Sequence, residues 1–313
     1  MILNISGRTD IVQYYTKWLL NRFDAGFVYS RNPLFPDKVT RYNLTPESVD
    51  VLMFCSKNYK PLLPHLARFT NKFNTYFHYT ITAYGKDVEP GVPGISESVE
   101  TLKELSRIVG KGRVAWRYDP VLLTRKYTLA RHFETFDAIA REVSPYIDRC
   151  IFSFVEMYRR LLTNMPEIEP FTFESMEAIA KGLGKIAAER RIYLQSCASN
   201  MDYSAYNVHR TGCVTPDILS KANGIEFKNV KSKGMRANCG CMGWHDFGAY
   251  SCCPNGCRYC YANREPALAR ENSKRHNPDS PLLLGNLNDT DIITECRERS
   301  LLKPADNTLR LDL

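Results

Sequence analysis

Between Ile2 and Gln195 the sequence alternates six times between a short apolar run and a longer amphipathic stretch, which confines the chain to folds built on a parallel sheet covered by helices. Ile2–Ser6 reads as a strand, and Ile11–Phe23 as a helix rich in aromatic and aliphatic residues. Phe27–Leu44 contains Asn32-Pro33 and Phe35-Pro36 and reads as a loop or short hairpin. Val49–Cys55 (VDVLMFC) is a buried strand, followed by a helix over Leu62–Phe73 that starts at Pro61 or Pro64. The pattern continues with strand Tyr76–Thr82, helix Ser96–Val109, strand Arg113–Arg117, helix Leu129–Val143, strand Cys150–Phe154, helix Phe173–Glu189 and strand Ile192–Gln195. A spacing of roughly 35 residues per unit suits an α/β chain folded as a full or partial (β/α) TIM-like barrel. A doubly wound open sheet is the runner-up. That fold usually opens with a Gly-rich turn, and SGRTD after the first strand does not match it.

Beyond residue 200 the alternation stops. Residues 201–313 are rich in Asn, Gly, Cys and basic residues, with short helical pieces at Thr215–Lys221 and Glu265–Arg275. The expected organisation is a barrel domain, 1–200, and a Cys-rich extension, 201–313, that packs on the barrel mouth and is ordered by a bound metal cofactor. At 313 residues and 44% hydrophobic, the chain can bury one large core or two modest ones. No run of 18 apolar residues occurs, so no membrane span is expected. MILNISGRTD has neither a charged n-region nor an apolar h-region, and the chain reads as cytoplasmic. A net charge of +8 is compatible with an anionic partner without requiring one.

Six of the eleven cysteines lie between Cys239 and Cys260. Without a secretory signal, such density points to metal ligands or redox chemistry rather than a disulfide framework. Cys55, Cys150, Cys197, Cys213 and Cys296 are scattered and read as small buried hydrophobes. Zinc knuckles favour two C-x2-C pairs, whereas here only Cys257 and Cys260 form one, with Cys253 three intervening residues earlier. C-x3-C-x2-C lets one loop place three thiolates on three irons of a cubane and leave the fourth iron free.

Cys253-x3-Cys257-x-Tyr259-Cys260 resembles the radical S-adenosylmethionine (SAM) signature, including the aromatic residue before the last cysteine. The resemblance implies a [4Fe–4S] cluster whose open iron is chelated by SAM, an external electron donor, and homolytic cleavage to a 5′-deoxyadenosyl radical that abstracts hydrogen. It also implies a full or partial (β/α) barrel. Over the whole chain, SGRTDI, VDVLMFCSKN, WRYDP and the CGC…CxxxCxYCYAN tail resemble a family known only as a domain of unknown function, number 1848, whose C-terminal cysteines are likened to the radical SAM cluster. A fainter likeness around Phe54–Pro61 is to spore photoproduct lyase, a radical SAM enzyme acting on DNA. Radical SAM enzymes usually carry the cysteine loop after their first barrel strand. Here it follows six βα units, so either the tail folds back over the mouth or the barrel is rearranged. No Gly-Gly-Glu segment of the kind that commonly holds the SAM amino group is present.

Cys239, Cys241 and Cys252 have three readings: a fourth ligand that closes the cluster, part of a second metal site, or packed thiols. In a barrel, functional groups stand at the C-terminal ends of strands. That picks out Arg8 and Asp10, Lys57 and Asn58, Thr80 and Thr82, Arg117 and Asp119, Glu156, and Gln195 with Ser196. Arg8, Asp10, Lys57, Arg117, Asp119 and Glu156 are the candidate catalytic residues. Tyr259, Thr80, Gln195 and Ser196 are the candidates for holding SAM. The plainer alternative is that Arg8–Asp10 and Arg117–Asp119 are structural ion pairs. His245 reads as a loop side chain more readily than a ligand, and His78 and His132 as packing. Tyr259 and Tyr261 suit stacking on adenine or walling off the cluster. Lys228, Lys231, Lys233 and Arg236 suit phosphates or plain solvation.

Three functions follow. The first is a radical SAM-like enzyme acting on an unidentified substrate, with nucleic acid a candidate. The second is a non-catalytic iron–sulfur or zinc protein that senses redox state or binds nucleic acid. The third, a zinc hydrolase, ranks last because no His falls at an expected strand end.

Overall fold

A computed structural model describes residues 1–234 and 237–304. Arg236 lies outside the described residues. In chain order the elements are β1 (Ile2–Asn4), α1 (Ile11–Tyr14), α2 (Thr16–Ala25), β2 (Phe27–Arg31), β3 (Lys38–Asn43), β4 (Val51–Ser56), α3 (Ala67–Thr70), β5 (Thr75–Thr80), α4 (Ile95–Val109) and β6 (Val114–Val121). They continue with α5 (Leu129–Val143), β7 (Arg149–Phe154), α6 (Arg159–Asn164), α7 (Phe173–Glu189), β8 (Tyr193–Ser196), β9 (Val208–His209), α8 (Pro216–Asn223), β10 (His245–Asp246), α9 (Pro266–Lys274) and β11 (Ile292–Glu295).

Eight strands form one wholly parallel sheet in the order β10-β1-β4-β5-β6-β7-β8-β9. Its two faces bury different things. Leu3, Leu52, Phe54, Phe77, Trp116, Phe152 and Leu194 join Trp18, Leu102, Phe136 and Leu183 from the helices in one core. The alternate residues Ile2, Val51, Met53, Tyr76, Ala115 and Ile151 form a second core with Cys213, Ile218, Leu219, Cys241 and Met242 from the tail. A doubly wound sheet would carry crossover helices on both faces. Here the crossover helices share one face, and the other is filled by the chain's own tail, as in a (β/α) barrel-like fold. Helix α8 sits at the N-terminal ends of the strands, where Thr75 N donates to Asn223 Oδ1 at 2.9 Å and Arg113 Nε donates to Ala222 O at 3.1 Å.

The periodicity ends near residue 200, but the sheet does not. Strands β9 and β10 come from the tail and form the sheet's two edges, each only two residues long and therefore too short to show a period. Phe27–Leu44 is a hairpin, β2 against β3, which β11 extends in parallel. The helix expected over Leu62–Phe73 is instead a 3₁₀ turn at Leu63–His65 followed by the four residues of α3. Pro64, lacking an N–H and placed at the start of that turn, suits a short turn better than a helix interior.

Candidate active site

The parallel strands bring their C-terminal ends to one mouth, and three buried ion pairs or hydrogen-bonded clusters line it. Asp10 caps α1: its Oδ1 accepts from Gln13 N at 3.0 Å and from Ser56 Oγ at 2.7 Å, and its Oδ2 accepts from Lys57 N at 3.0 Å. Burial outweighs these donors and raises the Asp10 carboxyl above its ordinary range. Next to it, Lys57 Nζ lies 2.9 Å from Glu89 Oε1, which also accepts from Thr82 Oγ1 at 2.9 Å and from the Tyr259 hydroxyl. Burial opposes the Lys57 charge, but Glu89 and Cys257 more than offset it and hold the ammonium above its usual range.

The third group centres on Arg117 of β6. Its guanidinium pairs with Asp119 and donates to His78 Nδ1 at 3.4 Å, and Asp119 also accepts from Ser153 Oγ. His78 is held well below its ordinary range by burial, with Arg117 and Arg149 adding to the effect, so it is neutral and accepts at Nδ1. Arg117 and Asp119 keep 19% and 18% of their side chains exposed, against 3% for Glu89, so solvent reaches this side of the mouth more readily.

The cysteine loop folds back across the mouth. Gly91 N donates to Asn255 O at 2.8 Å, Arg258 N to Val88 O at 3.0 Å, the Tyr14 hydroxyl to Asn255 Oδ1 at 3.0 Å, and the Tyr158 hydroxyl to Tyr259 O at 2.5 Å. A Cβ on Gly91 would stand 2.7 Å from Asn255 Cα, so glycine is what lets the two loops meet. Within the loop, Cys260 N donates to Cys257 O, Ala262 N donates to Cys260 Sγ at 3.3 Å, and Asn263 Nδ2 donates to Cys253 O at 2.8 Å.

Cys253, Cys257 and Cys260 are within electrostatic reach of one another. Burial pushes the Cys253 thiol up to about 12, with Asp10 adding to it, and raises Cys257 and Cys260 as well. Among the described residues, no three His, Cys, Asp or Glu side chains close around one point as a single-ion site requires. A cubane makes a different demand, since each thiolate binds its own iron. Three thiols in one pinned loop, with an N–H aimed at Cys260 Sγ, fit such a cluster, and the raised thiols would release their protons on binding it.

Other expected site residues go elsewhere. Arg8 does not pair with Asp10; its Nε lies 3.3 Å from Asp246 Oδ1 and its Nη1 donates to Gly248 O at 3.1 Å, because β10 places Asp246 beside β1. The Arg117–Asp119 pair does form. Gln195 is fully buried and its amide is used internally, accepting from Arg149 and donating to Thr211 O and Gly212 O. Ser196 is buried at the end of β8, and its Oγ has no hydrogen-bond partner among the described residues. Thr80 lies beside Arg117 in the β5–β6 register. Glu156 is exposed.

Cys252 turns away from the loop thiols, donating through Sγ to Ala249 O at 3.1 Å. Cys239 and Cys241 meet Cys213 and Cys197 rather than the loop. His245 Nε2 contacts Glu298 at 2.9 Å, and His132 is buried between the Tyr118 hydroxyl and Leu122 O. The Tyr261 hydroxyl donates to Gly7 O. Lys228, Lys231 and Lys233 are exposed. Sequence reasoning missed Glu89, Ser153, Asp246 and Asn255, which lie in loops, within a strand or in the tail and carry no spacing signal.

Among the described residues no helix is long and apolar enough to cross a membrane. Residues 2–262 match the family described as Domain of unknown function (DUF1848), and the chain belongs to it. No curated protein matches the chain. Among solved structures, the "putative alpha-L-fucosidase" from Bacteroides thetaiotaomicron VPI-5482 matches at 10% identity and a TM-score of 0.29 over 53% of this chain and 50% of that one, so this chain spans half the length of that protein.

Proposed function

We propose that this member of the DUF1848 family is a radical SAM-like enzyme whose loop thiols, Cys253, Cys257 and Cys260, carry a [4Fe–4S] cluster over the C-terminal ends of β1, β4 and β5. One observation carries the reading: the three thiols at C-x3-C-x2-C spacing lie in a loop bonded to strand-end loops at the mouth, where a barrel keeps its functional groups. A cluster bound there with one open iron would supply an electron for homolytic cleavage of SAM and so initiate hydrogen abstraction.

The chain's own residues then have distinct tasks. Tyr259 and Glu89 wall the loop from the barrel interior, and Lys57 balances thiolate charge beside Cys257. Arg117, Asp119 and Thr80 stand on the more exposed side, where the amino and carboxylate groups of SAM and a polar substrate would find partners, whereas buried Ser196 does not reach it. Gln195 keeps a structural task, holding β8 to the loop after β9.

The second reading, a non-catalytic cluster or zinc protein, is favoured by one feature: the mouth's charges already pair internally, as Lys57–Glu89, Arg117–Asp119 and Arg8–Asp246. Anaerobic reconstitution followed by EPR of the reduced protein with and without SAM separates the two. A [4Fe–4S]⁺ signal that shifts with SAM, with 5′-deoxyadenosine released, is expected. A cluster signal indifferent to SAM, or zinc without iron at the loop, overturns the enzymatic reading.

A further inference from the structure

Four cysteines that the sequence scatters over 45 positions meet where the sheet's two edges approach each other. Cys197 follows β8, Cys213 follows β9, and Cys239 and Cys241 precede β10. Strands β9 and β10 stand at opposite ends of the strand order, so contact between these segments bridges the edges of the sheet.

The bridge is closely built. Cys213 N donates to Cys241 Sγ at 3.1 Å, and Met242 N donates to Val214 O at 2.9 Å. A Cβ on Gly212 would lie 2.4 Å from Gly240 O and 2.8 Å from Cys241 N, so the two backbones touch only because Gly212 has no side chain. Cys213 and Cys241 are buried in the inner core, and Cys197 and Cys239 pack against it. The thiols touch in a row: Cys197 to Cys213, Cys213 to Cys241, Cys241 to Cys239.

We propose that Cys197, Cys213, Cys239 and Cys241 form a second metal site that takes one zinc-class divalent ion and clasps the two edges of the barrel. Two thiolates come from each edge, which is the number and type a closed tetrahedral structural site uses. The thiols here contact one another in pairs, Cys197 with Cys213, Cys213 with Cys241 and Cys241 with Cys239. The row does not yet surround a point. Closing it would require Cys197 and Cys239, both only half-buried, to turn about χ1 on binding the ion. Binding releases the four thiol protons to solvent and leaves two net negative charges, and the Arg117 guanidinium lies within electrostatic reach of Cys197 and Cys213 to offset them. The Cys213 N–H to Cys241 Sγ bond supplies an outer hydrogen bond of the kind that orients metal ligands. The ion would hold a seam whose edge strands, at two residues each, contribute few hydrogen bonds of their own.

The test is metal analysis of the full chain purified from zinc-supplemented medium without chelator, together with the cobalt-substituted protein's absorption spectrum. One zinc per chain is expected, retained when Cys253, Cys257 and Cys260 are all changed to Ala and lost in the Cys213→Ser/Cys241→Ser double variant. Those two residues are buried, and substituting them also disturbs the inner core. Cys197→Ser and Cys239→Ser therefore serve as the folded controls: with unchanged circular dichroism, each should weaken the thiolate-to-cobalt band and speed zinc release by on the order of tenfold. Zinc that leaves with the loop cysteines and stays in Cys197→Ser and Cys239→Ser overturns the proposal. So does a folded, zinc-free chain with a Cys213–Cys241 disulfide. Loss of iron alone in the loop variant, with zinc retained, touches only the cluster reading.

Discussion

Lys57 Nζ sits 2.9 Å from Glu89 Oε1 and 5.7 Å from the centre of the Tyr259 ring, so one buried ammonium joins the end of β4, the loop after β5 and the cysteine loop. Glu89 is 3% exposed and Lys57 14%, so water does little to screen the pair. This contact couples the barrel to the tail that crosses it.

Removing one partner of that pair leaves an uncompensated buried charge. Glu89→Gln is expected to lower unfolding stability by about 3 kcal/mol in urea titration. The Lys57→Met/Glu89→Leu double variant should recover much of the loss, because it removes both charges. A Glu89→Gln protein as stable as the parent would show that the pair is not buried as described.

Acid should weaken the fold through His132. Burial lowers this imidazole from 6.5 to about 4, only partly opposed by its hydrogen bond to Leu122 O. Between those values the unfolded chain binds more protons at this site than the folded one, so stability rises with pH across the window. The contribution is present in full above pH 6.5 and is lost as pH falls through about 4. Its size is about 3 kcal/mol at one pKa unit per 1.36 kcal/mol. His78, also held low, acts in the same direction. Urea midpoints measured from pH 4 to pH 8 should slope upward, and more shallowly in His132→Gln; equal slopes would refute the assignment.

The two neighbouring cysteines Cys252 and Cys253 should behave differently. Cys252 is a packed thiol donating to Ala249 O, so Cys252→Ser should keep the reconstituted iron content and cost about 1 kcal/mol of stability. Cys253→Ser should lose most of the iron. Iron per chain, measured colorimetrically after anaerobic reconstitution, decides between them. Iron loss in Cys252→Ser alone would move the ligand set by one residue.

Much of the framework is legible in the sequence because it is written in local periods. Six strands and the helices α2, α4, α5 and α7 lie close to where alternation and amphipathicity place them. The C-x3-C-x2-C loop is equally visible, since its geometry needs only consecutive residues. The two-residue edge strands β9 and β10 are not visible, because a pair of residues has no period and pairs only where a neighbouring strand offers partners.

Residue type and spacing determined, without further information, that this chain builds a parallel α/β sheet and that three of its thiols share one short loop. Which charges pair was decided by tertiary structure alone. Arg8 finds Asp246, 238 positions away, rather than Asp10 two residues on. Asp10 is already taken by the N-terminus of α1 and by Ser56 and Lys57, whereas β10 sets Asp246 directly beside β1. The partition of the cysteines follows the same logic. Cys197 and Cys213 look solitary along the chain and become neighbours of Cys241 and Cys239 only when the sheet curls and its edges meet. Periodicity is a property of the local backbone, but pairing across a barrel is set by which strands end side by side.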